Sequence, residues 1–173
     1  MFIETKPEKK IKPGPPPTAE ELQAASAALA KTKQALQGAE NAIAKAVESE
    51  NTELLIKNNA SKQILTAKQS REAAALHDLR VFDFIGKMSA AGAAYREAKT
   101  GQHLGKDDLR TFLERKLDKG AAKQLANDPT YWPQDIRNWR AQRCQALVDH
   151  TNLFRELKKF DPTAIAKYIL PGT

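Results

Sequence analysis

The sequence has one cysteine, few aromatic residues and no long apolar run. Its single thiol, Cys144, cannot form an internal disulfide and indicates a reducing compartment. No apolar run approaches the roughly 18 residues that a membrane span requires, and the first residues lack the apolar centre of a signal peptide. We therefore expect no signal peptide and no membrane span, and a protein that is cytoplasmic or part of an assembled particle.

Side chains for catalysis and metal binding are also few. His77 is followed by aspartate, but no histidine precedes it, as a metal phosphohydrolase of that type would require. His150 and Cys144 have no partners at the spacing of a zinc site. The segment 101–107 differs from a phosphate-binding loop in length and in its last residue, so we interpret it as a linker. These absences predict a protein that is not an enzyme and that uses no metal, cofactor or small-molecule substrate.

The residues that are abundant are typical of helices. Alanine, lysine, glutamate, glutamine and leucine dominate, and no segment alternates apolar and polar residues as a half-buried strand would. We predict an all-α fold: an antiparallel helical bundle with a long coiled-coil-like helical hairpin and a Pro-rich N-terminal arm. The predicted divisions are the arm at residues 1–17, the Ala-rich heptad helices at 18–75 and a basic helical globular part at 76–173.

The clearest pattern is a heptad repeat between residues 18 and 47. Leucine or isoleucine recurs every seven residues, and a small residue follows three positions later, which predicts a helix with an association seam. Thr18 and Glu21 have the spacing of a capping box and follow prolines that block any upstream helix. The seam residues are Leu22, Ala25, Leu29, Thr32, Leu36, Ala39, Ile43 and Ala46.

The polar segment 48–52 allows two interpretations. Either the chain turns here and a second helix, capped by Asn51 or Thr52, runs back against the first, or one helix continues with a skip in the heptad. The absence of glycine and proline between residues 39 and 85 favours the continuous helix. That helix would be on the order of 90 Å long, so we favour the hairpin.

Later residues predict further helices. Glycines 101 and 120 have the positions of helix stops, and the apolar cluster 81–85 is expected in the centre of the core. The predicted helices span residues 61 to about 95 with closure at Gly101, 107–119, 133–160 and 163–170.

The arm, residues 1–17, contains lysines and five prolines, which favour an extended polyproline conformation. Lys10, Pro13 and Pro16 have the spacing of a ligand for a polyproline-binding groove. The alternative interpretation is a plain arm or linker, because such matches arise readily in any Lys/Pro tract.

Positive charge is concentrated in the second half of the chain, and the net charge is +7. Arg137, Trp139, Arg140 and Arg143 form the most site-like group, because arginines beside an indole can contact phosphates and stack on bases. In the alternative interpretation, the aromatic residues are core anchors and the arginines pair with carboxylates of other helices.

These patterns predict binding rather than chemistry. We expect a non-enzymatic structural, assembly or adaptor protein, a component or scaffold of a virion-like or secretion-type complex, whose partner is another protein or further copies of itself. The alternative is a helical nucleic-acid-binding accessory subunit that uses the basic C-terminal half.

Overall fold

The computed structural model describes residues 9–172, and it is helical throughout most of that range. The predicted all-α helical bundle is confirmed, since no strand occurs in these residues and only Ile11 and Tyr168 form an isolated parallel bridge. None of these helices combines the length and the apolarity of a membrane span. The helices are α1 Ala19–Glu48, α2 Thr52–Leu113, α3 Lys119–Asn127, α4 Gln134–Phe160 and α5 Pro162–Lys167, with a 3-10 turn at Pro129–Tyr131.

Two compact units make up the described chain. The hairpin unit is Gly14–Asp83, and the C-terminal unit contains residues 9–13 and 84–172. The division falls inside α2, so the first half of that helix belongs to the hairpin unit and the second half to the C-terminal unit. The predicted domain boundaries after residues 17 and 75 stay predictions.

Helix α1 begins at the predicted capping box. The Thr18 hydroxyl accepts a hydrogen bond from the Glu21 N–H at 3.1 Å, and the Glu21 carboxylate accepts one from the Thr18 N–H at 2.7 Å. Every residue of the predicted seam is half-buried or buried, and Thr32 and Ala46 are each 3% exposed. The heptad pattern therefore faces the interior over the whole length of α1.

The turn between α1 and α2 confirms the hairpin. Helix α1 ends at Glu48, Glu50 has a φ of 52°, and the Asn51 side chain accepts a hydrogen bond from the Leu54 N–H at 3.0 Å. The Lys62 ammonium then lies 3.1 Å from the Glu40 carboxylate, which joins the two helices across the hairpin. The single continuous helix is thus wrong, because a side-chain cap and one left-handed residue make a tight turn without glycine or proline.

The inward face of α2 in the hairpin unit also has heptad spacing, but half of its residues are polar. The polar members of this face were not predicted, and Ile64, which lies outside it, is 70% exposed. Two pairs of polar residues, one of asparagine and lysine and one of glutamine and glutamate, separate the leucines along the side of α2 that is shielded from solvent. These half-buried or buried positions are Leu55, Asn58, Lys62, Leu65, Gln69, Glu72, Leu76 and Leu79.

Glu72 is the residue of this polar face that has a buried side-chain atom without a partner among the described residues. Its Oε2 atom is buried and has no hydrogen-bond partner within residues 9–172, while Oε1 lies 3.8 Å from the ammonium of Lys68. We expect Glu72→Leu to stabilise the hairpin unit by about 1 kcal/mol, because it removes an unpaired buried acceptor and adds apolar surface. Chemical denaturation should show the gain, with Lys68→Met as a control for loss of the ion pair. A lower midpoint of denaturation for Glu72→Leu than for wild type would contradict the expectation that the unpaired Glu72 carboxylate destabilises the hairpin unit.

Helix α2 does not stop at Gly101, as the sequence analysis predicted, but continues to Leu113. Gly101 and Gly105 lie where α4 crosses α2, and a Cβ atom on Gly101 would come within 2.6 Å of the Trp139 indole. The same atom on Gly105 would meet Ile136 at 2.9 Å. These glycines allow close packing of two helices rather than ending one, and the expected linker at 101–107 is helical.

The short helix predicted over 107–119 is also wrong. Residues 107–113 are the last turns of α2, and the Asp118 carboxylate accepts hydrogen bonds from the N–H groups of Gly120 and Ala121 at the start of α3. Gly120 thus lies in the first turn of a helix and does not end one. The core of the C-terminal unit includes Ile85, Met88, Ile136 and Leu157 from α2 and α4, all nearly or fully buried. Of the cluster 81–85, which was expected in the centre of the core, Val81 and Ile85 are buried and the other three residues are half-buried.

The described part of the arm contacts the C-terminal segment of its own unit. The Ile11 N–H donates to the Lys167 carbonyl at 2.8 Å, and the Ile169 N–H donates to the Ile11 carbonyl at 2.9 Å. Helix α5 ends at Lys167, earlier than the predicted residue 170, because the chain then extends to pair with the arm.

Candidate functional site

Three arginines on α4 share one side of the C-terminal unit, and neutral groups fix each of them. Arg137 donates to the Thr130 carbonyl at 3.1 Å. Thr130 is itself fixed by Asp128, whose carboxylate accepts the Thr130 N–H at 2.9 Å. Hydrogen bonds from the Thr130 backbone and hydroxyl lower the pKa of Asp128, so this carboxylate is charged and occupied by the turn.

Arg140 lies over the ring of Trp132, with its guanidinium carbon 5.6 Å from the ring centroid. The Lys106 ammonium from α2 lies 4.4 Å from the same centroid. Trp132 is 6% exposed, and its indole N–H donates to the Ala126 carbonyl at 2.9 Å, so the ring is a fixed part of the core. A buried aromatic face thus positions one cation from each helix.

Arg143 bridges α4 and α2. It donates to the side-chain oxygen of Gln102 at 3.1 Å, and its guanidinium lies 5.4 Å from the centroid of the Tyr95 ring. Gln102 is 6% exposed and is one of two buried polar residues in the part of the chain that the structure describes. The close crossing at Gly101 and Gly105 brings the two helices near enough for this contact.

Helix α2 adds a row of basic residues to the same side. Arg96, Lys99, His103 and Lys106 recur at the three- and four-residue spacing that places residues on one face of a helix. They line a cleft of about 560 Å³ together with Arg143. A second cleft shares Gln102 and Arg143 with the first, and a third shares Arg140 and Cys144 with the second, so this surface extends along α4. We name the cations Arg96, Lys99, Lys106, Arg137, Arg140 and Arg143 the basic face.

Among the residues that the structure describes, no carboxylate lines these three clefts. The cations of the basic face form no ion pair with any acidic residue in the range 9–172, so the predicted pairing with carboxylates does not occur there. Elsewhere the pattern is different: Lys62 is paired with Glu40, and Arg110 lies 3.6 Å from Asp107 and from Glu114. Within residues 9–172 the cations of the basic face are therefore not paired with carboxylates, and neutral groups hold Arg137, Arg140 and Arg143 in place.

The structure separates the residues that the sequence analysis had grouped. Trp139 packs its indole against Gly101 at the helix crossing, so it is a packing residue of the core edge and not a platform for bases. The cations of α2 were missed, because Gly101 was interpreted as the end of a helix. A continuous helix would have predicted them, since their spacing alone places them on one face.

The other predicted sites have different surroundings. The association seam of α1 lies on the shielded side of that helix, as described above. Within the arm, Lys10 and Pro16 are exposed, Pro13 is half-buried, and Ile11 is the residue whose backbone pairs with the C-terminal segment. Their role as a docking motif for a partner stays a prediction.

Groups that bind metals do not converge in this structure. Within residues 9–172, no three side chains of histidine, cysteine, aspartate or glutamate are close enough to hold an ion together. His150 contacts the Pro171 carbonyl at 2.8 Å, and His103 lies 3.7 Å from Asp107.

Comparisons with protein-family models, curated protein sequences and solved structures found no significant match.

Proposed function

We propose that this protein is a non-enzymatic assembly component, a subunit or adaptor of a larger complex such as a virion-like particle or a secretion-type machine. Its hairpin unit associates with helices of other subunits, in the first place with further copies of itself. The proposal rests on one observation, a second heptad stripe on the exposed side of α1.

This outer stripe consists of small residues and one lysine at alternating spacings of four and three. It lies to one side of the seam, because at 3.6 residues per turn the centre of these positions is turned by roughly 100° from the centre of the seam. Its members are exposed except for the half-buried Ala42, and a Cβ atom on Gly38 would meet nothing within 4 Å. The outer stripe is Ala24, Ala28, Lys31, Ala35, Gly38 and Ala42.

A helix with heptad stripes on two sides can pack against two neighbours at once. The seam of α1 is already shielded, so the outer stripe is the surface on which another helix would pack. Small residues permit a close approach of helix backbones, and α1 has few long side chains along this line to prevent it. Near the turn, Val47, Leu54 and Ile56 are 46–67% exposed and add apolar surface for a partner.

Glutamate on the outer stripe should prevent association without unfolding the protein. We expect the double variant Ala28→Glu/Ala35→Glu to be smaller in solution than wild type at equal concentration, because two charges would be buried in each interface. Light scattering after size exclusion measures the mass, and a thermal melt checks the fold.

The matched control is Ala30→Glu/Ala44→Glu, which adds the same charges at exposed positions away from the outer stripe. This control should retain the mass of wild type. Equal masses for all three proteins would contradict an interface at the outer stripe, and equal losses in both variants would show a general effect of charge.

A further inference from the structure

We propose that the basic face of the C-terminal unit binds the phosphodiester backbone of a nucleic acid, independently of sequence. This goes beyond an assembly role, because it assigns a second binding surface and a second class of partner. Three properties of the basic face favour this partner: its spacing, the way in which its arginines are held, and the composition of the clefts.

The cations form rows along two helices. On α2, Arg96 and Lys106 are ten residues apart, which corresponds to roughly 15 Å at the helical rise per residue. On α4, Arg137 and Arg143 span roughly 9 Å. Each strand of a duplex has one phosphate per about 3.4 Å of helix axis, so both rows are long enough to contact more than one phosphate.

The four arginines of the basic face are held in position while their charge remains available. A carbonyl binds Arg137, an amide oxygen binds Arg143, and an aromatic ring lies under Arg140. Arg96 is similarly bound through the Gly172 carbonyl at 3.0 Å. A guanidinium ordered by a neutral acceptor loses less conformational freedom on binding and keeps other donors for phosphate oxygens.

The surface favours backbone contacts over contacts with bases or with a protein. Trp132 is buried and Trp139 packs on Gly101, so neither ring is free to stack on a base. The core of a protein–protein interface is usually depleted in lysine and enriched in aromatic residues. The cleft of about 560 Å³ has one apolar residue in its lining, Leu104, and the others are charged or polar.

The test is the salt dependence of binding to a random-sequence 30-base-pair duplex and to a single strand of equal length, by fluorescence anisotropy on the intact protein. Wild type should bind both at low salt, with an affinity that falls steeply as salt rises. The triple variant Arg137→Gln/Arg140→Gln/Arg143→Gln should bind at least about ten-fold more weakly at low salt. Its salt slope should be shallower by about one unit for each phosphate that the variant no longer neutralises.

Two further variants distinguish this result from a loss of folding. Arg137→Lys/Arg140→Lys/Arg143→Lys keeps the charges and should keep most of the salt slope, while Lys33→Gln/Lys45→Gln/Lys57→Gln removes three exposed charges from the hairpin unit and should retain wild-type binding. Equal weakening in this last variant would overturn the proposal. So would wild type that binds neither nucleic acid at 50 mM salt, or that binds polyglutamate or anionic vesicles more tightly than DNA.

Discussion

Aspartate at Leu29 or Leu36 is expected to unfold much of the hairpin unit at temperatures where wild type is stable. Both leucines are half-buried on the seam, which faces away from solvent along all of α1. Each substitution removes a large apolar side chain and puts a charge there without a partner, at a cost of about 3 kcal/mol. For a unit of this size that corresponds to a fall in melting temperature of more than about 10 °C.

Circular dichroism at rising temperature measures this effect, and Gln34→Asp is its control, because residue 34 is an exposed position of the same helix. The control should melt within about 0.5 kcal/mol of wild type, as exposed substitutions usually do. If Leu29→Asp and Leu36→Asp melt like this control, the seam does not hold the hairpin together.

The second large effect is expected from two glycine-to-alanine substitutions that change the stability of the protein in opposite directions. Gly101→Ala should destabilise the protein, because its Cβ atom would lie 2.6 Å from ring atoms of Trp139, and an indole in a helix crossing has little room to move. The clash should cost about 1–3 kcal/mol and exceed the gain in helix propensity. Gly38→Ala adds a Cβ atom where nothing lies within 4 Å, so it should stabilise α1 by up to about 1 kcal/mol.

Denaturant unfolding of the two variants and wild type in one buffer measures the difference. Each protein is the control for the other, since both change glycine to alanine inside a helix. A stabilising effect of Gly101→Ala would mean that the close crossing of α2 and α4 does not exist in solution.

The parts of the fold that local rules determine could be predicted from the sequence. The capping box at Thr18, the heptad of α1 and the turn near residue 50 depend on side chains within a few residues of each other, and all three occur. The boundaries of α4 were also close to the prediction, because Pro133 precedes it and Asp161 follows it.

Features that depend on distant residues were not predictable. Whether Gly101 ends a helix or admits an indole is decided by Trp139, which lies 38 residues later in the sequence. Local preference for glycine at helix ends favoured the wrong interpretation. The same error divided α2, and so the cations of α2 were not connected with the arginines of α4.

The polar inward face of α2 was missed for a related reason. Positions where apolar residues are usual are occupied by Asn58, Lys62, Gln69 and Glu72. The heptad period becomes visible only when these polar residues are counted together with the leucines between them. The seam of α1 that faces the interior is largely apolar. A partly polar face on α2 is therefore sufficient for the two helices to pack against each other. Polar residues at such positions can fix the register of two helices at a cost in stability.

Sedimentation equilibrium of the intact protein over a range of concentrations tests the central claim, association through the outer stripe of α1, most directly. A single chain has a mass of 19.2 kDa. We expect wild type to show an average mass that rises above this value with concentration, and Ala28→Glu/Ala35→Glu to remain at the mass of one chain. Wild type that stays at 19.2 kDa at the highest concentration would contradict the proposal that copies of this chain assemble through α1.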